Sequence, residues 1–234
     1  MSVNPLRKIL WKAGLDFHKY RPKPNQLIWL KERGIKTVLD IGANTGQFAE
    51  EIRSVLPDAF IYSFEPLKDC YDELVASRAG DPRFQAFNCA LGDRNAATDI
   101  NRSSYSASSS LLKMAQLHKD LYPHTKGEST EAISVRRLDD IPEMRSARTE
   151  KNILVKMDTQ GYEDKVILGG AEFLKSANAL IVETSFVPFY EGQALFADIY
   201  KLLTSLGFTY KGGIDQRHDG KDGGILREDS LFVR

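Results

Sequence analysis

Short runs of branched and aromatic residues alternate along the chain with stretches whose apolar positions recur at helical spacing. The runs predict strands over Thr37 to Ile41, Phe60 to Phe64, Phe84 to Leu91, Ile153 to Met157, Ala179 to Glu183, Phe208 to Lys211 and Ser230 to Val233. Between them, Phe48, Ile52, Val55 and Leu56 predict one helix, and Tyr71, Leu74 and Val75 a second. Val166, Ile167, Phe173 and Leu174 predict a third, and Leu195, Ile199, Leu202, Leu203 and Leu206 a fourth. Strand and helix in alternation imply an α/β fold, a mostly parallel sheet with helices on both faces and right-handed crossovers. Only the polar loop "GGIDQRHDGKDGG" separates the last two strands, so they are expected to pair as an antiparallel hairpin at a sheet edge. That loop is a poor calcium site, because Arg217 and Leu226 stand where carboxylates are needed.

Two regions fall outside the alternation. Residues 1–34 read as an N-terminal helical extension to a domain spanning 35–234. Within the extension, Arg7, Lys8 and Lys12 beside Leu6, Ile9, Leu10 and Trp11 make a short basic amphipathic helix. Such a helix either packs on its own domain or touches a membrane surface. The second region is a serine-rich insertion around residues 101–130, which carries His118, Tyr122 and His124. A long irregular segment in a compact α/β domain is a lid, a binding loop or a mobile connection. His118 and His124 are expected at the surface, and serve as bases only if this segment folds over the site.

Composition narrows the partners. The 234 residues are 42% hydrophobic and 27% charged, as in a soluble globular domain. Lys plus Arg and Asp plus Glu are equal at 32 each, so no field of one sign favours nucleic acid or an anionic membrane. Cys70 and Cys89 match neither a disulfide framework nor a metal spacing, and are expected to be buried thiols in a reducing compartment. With no apolar run of transmembrane length and no signal-peptide core, the expected location is cytoplasmic.

The chemistry concentrates at "TVLDIGANTGQF". Ligands of open parallel sheets bind at the carboxyl ends of the strands, and the turn after the first strand is the usual seat. Gly42 and Gly46 permit backbone angles and approaches closed to other residues, and the helix start that follows offers N–H groups to an anion. Glu65, closing the second strand in "YSFEP", is placed to accept hydrogen bonds from both ribose hydroxyls. The spacing is Gly-x-x-x-Gly, with Asn44 where dinucleotide enzymes need a glycine, and there is no phosphate-cradling Gly-Lys-Ser/Thr. Asp40 adds negative charge that repels phosphate and attracts an ammonium. A ligand with an amino-acid tail, a ribose and a sulfonium meets these demands, namely S-adenosylmethionine.

Six segments, "VLDIGANTGQF", "FEP", "NCALGD", "VKMDTQGYEDKVILGGAEFL", "LIVETSF" and "FYEGQALFADIYKLLTSLGF", occur in this order. Together, from Val38 to the C-terminus, they resemble the FkbM-type S-adenosylmethionine-dependent methyltransferases. The resemblance implies a class I methyltransferase, Rossmann-like fold with a seven-stranded sheet, the hairpin supplying its sixth and seventh strands. It also implies O-methylation of a hydroxyl on a sugar, a glycan or a polyketide-type small molecule. Carried over by position, Asp40 and the turn Gly42, Ala43, Asn44, Thr45 and Gly46 face the methionine part, Glu65 the ribose, and Asn88, Ala90 and Leu91 the adenine. The chain departs from the family pattern at Gln160, where many members carry glutamate.

Asp158 and Glu183, at the ends of neighbouring strands, are the candidate catalytic carboxylates. The pair could hold a magnesium-type ion, or one could serve as base to the acceptor hydroxyl. Alternatively, Asp158 caps the next helix or holds the methionine ammonium, and Glu183 lies in a buried ion pair. Glu163 and Asp164 suit the positive end of that helix. Phe186, Phe189 and Tyr190 form either an apolar face for a sugar ring or ordinary core. Competing readings are a cofactor-binding module without catalysis and a methyltransferase acting on protein or nucleic acid. A nicotinamide dehydrogenase is disfavoured by the missing central glycine.

Overall fold

The strands that read as continuous apolar runs form the buried middle of a seven-stranded sheet. The structure, a computed structural model, describes residues 26–150 and 152–234, so the basic segment at Leu6 to Trp11 lies outside the described residues. The first half comprises α1 (Trp29–Glu32), β1 (Thr37–Ile41), α2 (Gln47–Val55), β2 (Phe60–Phe64), α3 (Lys68–Ser77), β3 (Phe84–Phe87), β4 (Ala90–Leu91) and β5 (Ala96–Ser103). There follow α4 (Gln116–Leu121), β6 (Glu128–Arg136), α5 (Pro142–Ala147), β7 (Ile153–Met157), α6 (Glu163–Gly169), α7 (Ala171–Leu174), β8 (Ala177–Ser185), α8 (Phe196–Ser205), β9 (Thr209–His218) and β10 (Ile225–Val233).

The large sheet runs β3-β2-β1-β7-β8-β10-β9. All neighbours are parallel except β10, which is antiparallel to both β8 and β9. The strand order reverses between β1 and β7, and the chain diverges there into a crevice at the carboxyl ends of both. Alternate side chains serve opposite faces. Val38, Leu154, Ala179 and Ile181 pack against α1 and α2 through Leu30, Ala49, Ile52 and Val55. Leu39, Val155, Leu180 and Val182 pack against α5 to α8 through Met144, Val166, Phe173 and Leu203. The predicted hairpin is present, and both of its strands extend beyond the predicted bounds. Cys70 and Cys89 are free and buried. Among the described residues no helix is long and apolar enough to cross a membrane.

The middle of the chain departs from the sequence reading. Residues 101–130 are not one irregular insertion. Their ends belong to β5 and β6, which pair antiparallel from Ala96 opposite Val135 to Ser103 opposite Glu128, and β4 joins them as a second, three-stranded sheet. The polar β5 buries little beyond Ile100 and Ser103 and so carried no apolar alternation to read. The segment predicted as one strand from Phe84 to Leu91 divides for a related reason. The Asn88 side chain donates to the carbonyls of Glu65 (2.9 Å) and Pro66 (3.0 Å), and the backbone leaves the large sheet there for the small one.

The two sheets meet where α6 crosses the segment after β4. A Cβ on Gly169 would lie 1.8 Å from the Gly92 carbonyl oxygen. Helix propensity alone favours alanine over glycine by about 1 kcal/mol, so the sign of the substitution separates local from tertiary control. Gly169→Ala is expected to destabilise the fold by about 2 kcal/mol or more, read as a lower urea midpoint at unchanged slope. A gain in stability would show that this contact does not fix the helix.

Candidate functional site

A cavity of about 390 Å³ opens at the crevice between β1 and β7. Gly42, Ala43, Asn44, Glu65, Ala90, Leu91 and Asp158 of the predicted set line it, together with Phe64, Cys89, Ile100, Leu111, Lys156 and Tyr162. Asp40, Thr45, Gly46, Asn88 and Glu183 do not.

The glycines owe their places to protein packing more than to ligand approach. Gly42 has φ +80, and a Cβ there would lie 1.9 Å from the Asp158 carbonyl oxygen, where β1 and β7 come together. At Gly46, φ +97, a Cβ would meet Leu74 Cδ1 of α3 at 2.7 Å. The backbone of the turn is likewise occupied. The N–H groups of Gly42 and Ala43 donate to the Phe64 carbonyl, and that of Gly46 to the Ala43 carbonyl. Asn44 N–H donates to Glu65 Oε2 (2.8 Å), and Thr45 N–H to the Asn44 side chain (2.9 Å). Every N–H from Gly42 to Gly46 thus has an internal acceptor, and the turn itself offers none to an anion.

Glu65 is only 4% exposed. Its second oxygen accepts the N–H of Leu67 at 2.8 Å. Burial pushes its carboxyl up to about 7, against the pull of the Leu67 and Asn44 N–H groups. Asn88 touches the cavity through its neighbours only, holding the carbonyls on either side of the Glu65–Pro66 bond.

Asp40 is fully buried beneath the turn. It stands opposite Lys156 in the β1–β7 register, 3.6 Å from that ammonium, and neither carboxylate oxygen has a hydrogen-bond donor among the described residues. It therefore does not face the cavity as expected. Burial raises its carboxyl, and the Lys156 ammonium opposes that rise. The Lys156 side chain is 15% exposed, lies equally 3.6 Å from Asp158 Oδ2, and donates to the Gly42 carbonyl at 3.3 Å. Burial pulls its ammonium down, but the carboxylates of Asp158 and Asp40 outweigh this and hold it raised, so it stays a cation. The sequence reading passed over Lys156. Its signal was a single charge inside the apolar strand "ILVKM", on the same face as Asp158 two residues on.

The two candidate catalytic carboxylates are close but not equivalent. Asp158 has a 33% exposed side chain and lines the cavity. Glu183 is ion-paired with Arg227. Gln160 Nε2 bridges the two, donating to Asp158 Oδ1 (2.6 Å) and Glu183 Oε2 (2.9 Å). Burial, and then the charge of Asp158, push Glu183 well above the usual carboxylate range, while Arg227 opposes. An amide presenting N–H bonds to both carboxylates fills the place a divalent cation would take, and the pair does not fit a metal. Among the described residues no cluster of three or more His, Cys, Asp or Glu side chains could hold one. Asp158 does not cap α6, which has no side-chain cap. Glu163 instead binds the loop, accepting from Thr159 N–H (2.8 Å), Thr159 Oγ1 (3.0 Å) and Gly161 N–H (3.3 Å).

The serine-rich segment crosses the cavity. Asn44 Nδ2 donates to Ser106 Oγ at 3.0 Å, and Ser110 Oγ to the Gln160 carbonyl at 2.6 Å. Tyr190 Oη lies 2.8 Å from Gln160 Oε1 and 3.0 Å from the Ser108 carbonyl. His118, expected at the surface, is buried against Tyr122, Phe189 and Tyr190, whereas His124 is exposed. Phe189 and Tyr190 are core, and Phe186 stays partly exposed, stacked on Phe196 at 4.8 Å.

Residues 40–210 match the Methyltransferase FkbM domain. The chain is 30% identical over 191 residues to the 2-O-methyltransferase NoeI of Sinorhizobium fredii, covering 77% of this chain and 76% of that protein. Among solved structures, magnesium protoporphyrin IX methyltransferase of Synechocystis PCC 6803 is 13% identical, with 98% of this chain and 95% of that one covered and a TM-score of 0.46. Precorrin-6y C5,15-methyltransferase of Geobacter metallireducens is 10% identical, with 93% and 91% covered and a TM-score of 0.45. With the strand order and hairpin of a class I methyltransferase, this chain belongs to the FkbM family of S-adenosylmethionine-dependent methyltransferases.

Proposed function

We propose that the cavity holds S-adenosylmethionine and that the chain methylates a hydroxyl oxygen of a sugar or similar polyhydroxylated small molecule. The likeness to a 2-O-methyltransferase over three quarters of both chains carries the oxygen acceptor. The placement of the cofactor draws on the chemistry of the cavity wall. Each Glu65 oxygen accepts one backbone N–H and keeps a lone pair for a ribose hydroxyl. Phe64, Ala90, Leu91, Ile100 and Leu111 give the apolar surface that an adenine ring needs. The methionine end then faces Gly42, Lys156 and Asp158.

The bound cofactor supplies an electrophilic methyl carbon on a cationic sulfur. The cavity wall would hold an acceptor oxygen in line with that carbon, so that the methyl could pass to oxygen with the neutral thioether as leaving group. Alignment of the two partners contributes much of the rate. The hydroxyl proton passes to Asp158, the one of the two candidate carboxylates that lines the cavity. Glu183 is committed to Arg227 and Gln160 and acts by holding them.

Calorimetric titration with S-adenosylmethionine and S-adenosylhomocysteine is expected to give saturable binding. Ionised Glu65 can accept from both ribose hydroxyls with charge assistance, whereas the protonated carboxyl gives up acceptor capacity on one oxygen. The Glu65 carboxyl titrates near 7, so affinity is expected to rise as the pH passes upward through that value. Glu65→Gln should weaken binding and flatten this dependence, and a wild-type affinity flat in pH would remove Glu65 from the ribose. Asp158→Asn is expected to lower kcat about 100-fold or more while cofactor affinity stays within a few-fold. Retained turnover would rule out Asp158 as the base.

A further inference from the structure

The methionine end of the cofactor carries an ammonium and a carboxylate, and the carboxylate needs donors. Helix starts and glycine turns commonly provide them, yet the five N–H groups from Gly42 to Gly46 all have internal acceptors. The first turn of α2 offers at most about half a charge. Lys156 is the only basic residue lining the cavity among those described, and it offers a full one.

Its hydrogen bonding is incomplete in a way that suits a ligand. An ammonium has three N–H donors. One reaches the Gly42 carbonyl at 3.3 Å. The carboxylates of Asp40 and Asp158 are each 3.6 Å away, attractive in charge but beyond a normal hydrogen bond. The ring of Phe48 lies 5.7 Å from the ammonium and fixes one side of it. A cation held by charge, but not saturated by hydrogen bonds, keeps donors for an anion entering the cavity.

We infer that Lys156 holds the methionine carboxylate of the cofactor, as the cation of the cavity wall beneath the Gly42 turn. The assignment rests on the cavity being the cofactor site. It gives Lys156 two partners of different kind, a permanent one in Asp40 below and an exchangeable one above.

The test compares nucleosides with and without the amino-acid part. Wild-type protein is expected to bind S-adenosylhomocysteine about 10- to 100-fold more tightly than its decarboxylated counterpart, the range for a charge-assisted hydrogen bond. Lys156→Met should cost a similar factor for S-adenosylhomocysteine and leave 5′-methylthioadenosine, which lacks the amino-acid part, unchanged. Lys156→Arg, which keeps the cation, should recover most of the loss. Removing one partner of a buried pair destabilises folds, and the wild-type comparison stands even if Lys156→Met fails to fold. Equal loss for both nucleosides, or no preference of the wild type for the carboxylated one, overturns the assignment. Wild-type protein that binds no nucleoside at all overturns the cofactor site itself, and the assignment falls with it.

Discussion

The site depends on one ammonium buried between two strands. β1 and β7 lie side by side at the point where the strand order reverses, and their carboxyl ends bring Asp40 and Asp158 close together. Burial, with the charge of Asp158 adding to it, drives the Asp40 carboxyl toward protonation. Lys156, 3.6 Å from each, keeps charge on the wall of the cavity. The same ammonium reaches the Gly42 carbonyl, so the turn and the charge pair are one unit. Glycine at position 42 follows, since its backbone is left-handed and a side chain there would run into the Asp158 carbonyl.

A second network is built on Gln160. Its amide N–H bonds face Asp158 and Glu183, its amide oxygen faces Tyr190 Oη, and its backbone carbonyl accepts from Ser110. The residue has φ +55, a strained conformation outside glycine that survives only where its surroundings dictate it. Family members with glutamate here would bring a third acid to the pair, whereas an amide donates to both carboxylates and ties Asp158, at the cavity wall, to Glu183. Through Ser110 and Tyr190 the serine-rich segment is bound to the same residue, which joins the cover of the cavity to its floor.

Regular local signals made much of the fold legible. The strands Thr37–Ile41, Phe60–Phe64 and Ile153–Met157 begin and end where their apolar runs do, because central parallel strands are buried on both faces and admit few polar residues. The small sheet was not legible, since β5 is a mostly polar strand with little buried surface and its partner lies some way along the chain. His118 read as a surface residue for the same reason. Its polar neighbours in sequence give no sign of the aromatic side chains that enclose it from Phe189 and Tyr190.

The sequence by itself determined the sheet, the hairpin, the place of the glycine turn and the methyltransferase family, because these depend on residue type at local spacing. Only the tertiary structure decided which acids face the cavity and which are consumed beneath it. Asp40 and Glu183 look as available in sequence as Glu65 and Asp158. Burial and the nearest cation separate them, Lys156 for Asp40 and Arg227 for Glu183, and both are properties of strands brought together from far apart in sequence.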